Sequence, residues 1–131
     1  MNMKEILIGS TLALSCTVTE DKLACTMKSG ELPVFATPAM AALMEETSAK
    51  LLGQFLDEGE TSVGTALNLQ HTAATPLGLT VTAQATITAV DRRKVSFSVV
   101  VRDSAEEIGR AELDRFVVQA EKFLNKANSK K

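Results

Sequence analysis

Phe35–Phe55, FATPAMAALMEETSAKLLGQF, is the stretch that decides the fold, and it reads as a helix. Thr37 is a suitable N-cap, because its hydroxyl can accept a hydrogen bond from a first-turn N–H. Pro38 would then occupy the first helical position, where a missing N–H costs nothing. Met40, Leu43, Met44, Thr47, Leu51 and Phe55 recur at helical spacing and define a core-seeking face. Two adjacent carboxylates, Glu45 and Glu46, project about 100° apart. Glu46 pairs naturally with Lys50 one turn on, as an exposed ion pair does. Glu45 faces Ala41, Ala49 and Leu52 instead. That is either an ordinary edge glutamate or one placed for chemistry.

The chain has 131 residues, enough for one domain with a core and too few for two. It is 45% hydrophobic and 23% charged, an ordinary globular composition. A net charge of −2, with no tryptophan or tyrosine, argues against a nucleic-acid partner. The two cysteines, Cys16 and Cys25, fit no metal spacing and are expected to be reduced. The start, MNMKEILIGSTLALSC, superficially resembles a lipoprotein leader. Glu5 in the basic region and Ser10-Thr11 in the apolar run argue for a strand instead. No apolar run reaches membrane-spanning length, so the expectation is a soluble cytoplasmic protein.

Outward from the helix, Leu12–Met27 reads as one or two strands, broken by a turn at Glu20-Asp21-Lys22. A loop over Lys28–Pro33 leads into the helix, and Asp57–Glu60 turns out of it. From Thr61 to His71, period-two alternation puts Val63, Thr65, Leu67, Leu69 and His71 on one face, with Gly64 and Ala66 on the other. Thr72–Gly78 is a loop. Strands follow at Leu79–Val90, Lys94–Arg102 and Glu107–Val118, joined by short turns that predict an antiparallel meander. A short polar helix over Gln119–Ala127 closes the chain, with Phe123 as its docking residue.

One long helix and one antiparallel sheet must cover each other. The helix is apolar around much of its circumference, so the sheet is expected to curl around it. The fold class is therefore α+β, a single hot-dog domain over residues 1–131. Threonines and valines on the second sheet face suggest a dimer closing an edge or face.

Few residues could carry chemistry. His71, the only histidine, closes the more apolar face of its strand and suits acid–base work near neutral pH. A helix packed across the sheet could bring it to Glu45. Arg115 lies on an apolar face with Ala111, Leu113 and Val117 and needs a partner, either a carboxylate or a ligand oxygen. Gly64, mid-strand, marks a bulge or a close backbone approach.

Three segments, ATPAMAALMEE, then VGT-x-LNLQHTAATPLGLTV, then EIGRAELDRFVV-x-x-EKF, resemble the fluoroacetyl-CoA thioesterase-like family of hot-dog proteins across roughly residues 33 to 126. The resemblance implies catalytic roles for Thr37, Glu45 and His71, and substrate contacts at Gly64 and Arg115. It implies an acyl-CoA substrate, no metal and no cofactor beyond the coenzyme A of the substrate. It also implies a homodimer, with a tetramer possible, whose active sites lie at or near the dimer interface. One departure stands out. The fluoroacetyl-selective type carries phenylalanines before the helix, whereas Met27–Leu32 here holds no aromatic, so the acyl group is open. The competing readings are a hydratase or dehydratase on the same scaffold, a structural dimer, and an acyl-CoA-binding module without turnover. A structure in which Arg115 holds Glu45 away from His71 would favour the binding module.

Overall fold

The computed structural model describes residues 5–131, so Lys4, the basic residue of the apparent leader, lies outside the described residues. The elements run β1 (Thr11–Thr17), a 3-10 turn (Glu20–Lys22), α1 (Ala24–Met27), α2 (Thr37–Gly53), β2 (Glu60–His71), β3 (Thr80–Asp91), β4 (Lys94–Arg102), β5 (Glu107–Gln119) and α3 (Ala120–Asn128). The five strands form one sheet in the order β1-β3-β4-β5-β2, with every neighbouring pair antiparallel. This is the expected α+β hot-dog arrangement of sheet and long helix.

Helix α2 lies across the concave face. It buries Met40, Leu43, Met44, Leu51 and Leu52 against Val81, Ala83, Ala85 and Ile87 of β3 and Val95, Phe97, Val99 and Val101 of β4. Two polar side chains on the buried face, Thr47 and Ser48, bond back to the carbonyls of Leu43 and Met44, so neither is left unsatisfied. The exposed Glu46–Lys50 pair forms at 3.5 Å.

Several local expectations are corrected. Leu23–Met27 does not pair back as a strand. Its residues Ala24–Met27 form one helical turn, and Leu23 makes an isolated bridge to Phe35. Thr37 is the first residue of α2 and Ala36 is the N-cap, which leaves the Thr37 hydroxyl for another partner. Phe123 does not dock: it is 45% exposed on α3, which buries none of its residues. Strands β3, β4 and β5 form the meander, but β2 pairs with β5 at the far edge of the sheet. The chain therefore crosses over between β2 and β3 through residues 72–79.

The period-two reading of β2 fails at a bulge. Pairing with β5 shifts between Gly64 and Ala66, where Thr65 is the extra residue. The slip puts Gly64, not Val63, on the inner face with Leu67, Leu69 and His71. A second bulge, between Ile87 and Ala89, turns Ala89 outward and lets Val90 pack on the core.

The core depends most on its largest buried side chains. Phe97 is fully buried at the centre of β4, and Phe97→Ala is expected to destabilise the fold by about 3–5 kcal/mol. Urea unfolding of the two proteins measures the difference.

Candidate active site

The candidate residues fall into two groups. Thr37, at the start of α2, meets His71, at the end of β2: Oγ1 lies 2.9 Å from Nδ1. Because Thr37 does not cap the helix, its hydroxyl is available to orient the imidazole. The ring packs edge-on against Phe35, with centroids 6.4 Å apart. Its other nitrogen, Nε2, is buried without a hydrogen-bond partner among the described residues. Burial pushes the His71 pKa below its ordinary 6.5, and the backbone of Ala73 opposes the shift. The ring is thus neutral at pH 7. Thr37 and His71 line a cavity of about 320 Å³ with Ala24, Val34, Phe35, Ala73 and Ala74.

The second group surrounds the bulge of β2. Glu45, on α2, accepts through Oε2 from the Arg115 guanidinium at 3.4 Å. Arg115 is buried, and it donates from Nε to Ser62 Oγ at 2.8 Å and from Nη2 to the Ser62 carbonyl at 2.9 Å. Burial pushes the guanidinium pKa down, and Glu45 opposes that. Gly64 sits opposite Arg115, and a Cβ there would lie 2.6 Å from Glu45 Oε2. The glycine is therefore what makes room for the carboxylate. Glu45, Gly64, Leu67 and Leu113 line a separate cavity of about 220 Å³, into which the Glu45 side chain, 45% exposed, projects.

One chain does not join the two groups. Gly64 and His71 stand seven residues apart, roughly 20 Å along a strand. Thr37 and Glu45 stand eight apart, about 12 Å along a helix. Ser62 and Phe35 escaped the sequence reading. The need of Arg115 for a partner was the only signal for Ser62, and Phe35 read as a helix boundary. Among the described residues no three His, Cys, Asp or Glu side chains are gathered as a metal ion would require.

Residues 18–121 match the family described as fluoroacetyl-CoA-specific thioesterase. The chain belongs to that family. It is 43% identical over 97 residues to the fluoroacetyl-CoA thioesterase of Streptantibioticus cattleyicolor, covering 74% of this chain and 70% of the relative. The crystal structure of the fluoroacetyl-CoA thioesterase FlK superposes with a TM-score of 0.91 at 35% identity, over 98% of this chain and 99% of that one. A point mutant of FlK in complex with acetyl-CoA superposes at 0.90 and 34% identity, over 95% and 98%. Membership in this family places the chain among the thioester hydrolases, whereas the arrangement of its site residues rests on the geometry above.

Two predictions follow from that geometry. Gly64→Ala should leave the fold intact and displace Glu45. A crystal structure of the variant would show the carboxylate moved off Arg115. Acid should also weaken the fold through His71. The unfolded chain takes up a proton near pH 6.5 and the folded ring resists it, so this stability is full above 6.5 and is lost as the pH falls below it. The urea midpoint of wild type should drop more than that of His71→Asn between about pH 7 and about pH 5.

Proposed function

We propose that the protein hydrolyses an acyl-CoA thioester to a free acid and coenzyme A, in the cytoplasm and without a metal ion. The site is Thr37, Glu45 and His71, with Gly64 and Arg115 beside the substrate. The observation that carries this reading is the neutral, Thr37-bonded His71, its Nε2 unpartnered among the described residues, at a cavity with no charged side chain in its lining. Family membership supports the thioester, and two free cysteines suit a reducing compartment. With no aromatic in Met27–Leu32, selectivity for a fluoroacetyl group is not part of the proposal.

The two groups become one site when two chains pair along β2. That strand is the longer of the two edge strands of the sheet, 12 residues against the 7 of β1. Antiparallel pairing of two copies sets the beginning of one β2 beside the end of the other. Glu45 of one chain then faces Thr37 and His71 of the second. Glu45 either takes a proton from the water that attacks the carbonyl or attacks it directly. Backbone N–H groups at the start of α2 or at Gly64 receive the developing oxyanion. The C–S bond then breaks. In the water route the proton that Glu45 took from the water reaches the sulfur by way of His71. In the direct route coenzyme A leaves as the thiolate, and the water that afterwards hydrolyses the acyl–Glu45 anhydride gives up its proton by way of His71. Thr37 holds the imidazole in place.

The Glu45–Arg115 ion pair favours a second reading, an acyl-CoA-binding module without turnover. Thiol release from a panel of acyl-CoAs separates the two. Glu45→Gln and His71→Ala are each expected to lose about 10²–10⁴-fold in turnover with the fold retained. Co-expressing the two variants rebuilds one complete site per mixed dimer, and should recover on the order of a quarter of wild-type activity. Full activity in either variant overturns the catalytic assignment. Binding of acyl-CoA with no thiol release establishes the module.

A further inference from the structure

The segment most specific in the sequence, His71-Thr72-Ala73-Ala74-Thr75-Pro76, contains a residue the proposed chemistry does not use. Thr75 is fully buried, yet it lies in the crossover loop of residues 72–79, which must run from the β2 edge past β5 and β4 to β3. Three strand spacings make that roughly 14 Å. Thr75 is the one buried residue of an otherwise largely exposed loop, so its polar groups must find partners within the protein.

Thr75 satisfies them in two directions. Its hydroxyl donates to Asp103 Oδ2 at 2.8 Å, in the turn between β4 and β5. Its carbonyl accepts from the N–H of Phe35 at 2.8 Å. Asp103 is itself fixed, because its Oδ1 accepts from the N–H groups of Ala105 and Glu106 at 2.8 and 3.0 Å. Burial alone would raise the Asp103 pKa, but these backbone bonds and the Thr75 hydroxyl outweigh it and hold the carboxyl below its usual range. The carboxylate is therefore a permanent acceptor at pH 7.

Phe35, which Thr75 holds, and the loop that Thr75 anchors both reach His71. Phe35 presents its ring to the imidazole. Ala73, two residues before Thr75, acts on the ring through its backbone. The other residues lining the His71 cavity, from α1, the segment before α2, α2 itself and the loop, include no titratable group. On β5 the residue opposite His71 is Gly109. The surroundings of the imidazole are thus set by the Thr37 hydroxyl, uncharged walls and backbone, and Thr75 ties down the loop and Phe35, which supply two of those walls.

We infer that the Thr75–Asp103 hydrogen bond is a positioning strut for His71, locking the crossover loop and Phe35 around the imidazole. Thr75 is a positioning residue, and it touches neither substrate nor reacting atoms. The inference rests on His71 as the working histidine, which belongs to the thioesterase reading above.

His71 is the only histidine of the chain, so its ring protons titrate as single signals in NMR. Wild type should titrate below 6.5. Thr75→Val keeps the volume and removes the donor, and Asp103→Ala removes the acceptor. Both should titrate closer to 6.5 as the walls loosen and water reaches the ring, while Thr75→Ser should titrate as wild type does. Turnover should fall about ten- to a hundredfold in Thr75→Val, with KM little changed, and recover in Thr75→Ser. The titration decides: if all four proteins titrate alike and Thr75→Val loses only thermal stability, the strut is ordinary packing and the inference is overturned. Absence of thiol release from wild type would count against the thioesterase reading and leave the titration to judge the strut.

Discussion

The site depends on one extra residue in one strand. Side chains on a strand alternate with a period of two, so a single inserted residue exchanges the faces on either side of it. Thr65 is that residue in β2. Beyond the bulge, Leu67, Leu69 and His71 face the helix. Before it, Gly64 faces the helix too, opposite Arg115. With strict alternation, Val63 would occupy the place where Glu45 and Arg115 now meet, and their ion pair would have no room. The bulge thus admits a backbone without a side chain at the one point where α2 brings a carboxylate down onto the sheet.

Around it the chain satisfies its buried polar groups economically. Arg115 is buried among apolar residues, and its bonds go to Ser62 and Glu45. Thr37 gives its hydroxyl to His71 rather than to the helix it begins. Each of these bonds orders a group with chemical potential by means of an ordinary neighbour. The two groups of candidate residues lie toward the two ends of β2, and one chain does not bring them together. The open edge of β2 offers the route by which two copies would.

The sequence made the helix and the meander legible because their patterns are local. Alternation in β3 and β4 needs no knowledge of the partner strand, and the face of α2 from Met40 to Leu51 follows from spacing alone. The same logic picked out His71 and Arg115 as polar residues on apolar faces, and set Glu45 apart from Glu46. What it missed was non-local. A bulge is a property of two strands, so Gly64 was placed on the wrong face. The pairing of β2 with β5, which no local pattern announces, depends on the whole sheet. Ala24–Met27 forms a helical turn against its apparent strand pattern because the N–H groups of Ala24 and Cys25 bond to the carbonyls of Val34 and Leu32 in the segment that folds back over it. Phe123 looked like a docking residue because amphipathic spacing shows only that a face is apolar, and not what covers it.

Gly64 also has a consequence for how this protein can vary. Every other amino acid brings a Cβ, and here a Cβ meets a carboxylate oxygen at 2.6 Å. Gly109, opposite His71, is nearly as confined: a Cβ there would lie 2.5 Å from Met40 Sδ and 3.0 Å from the carbonyl of Gln70. One such position lies toward each end of the β2–β5 pairing, so a side chain at either must push Glu45 or Met40 aside. The exposed stretch from Met27 to Leu32, whose Ser29 lines the His71 cavity, can vary without such a displacement.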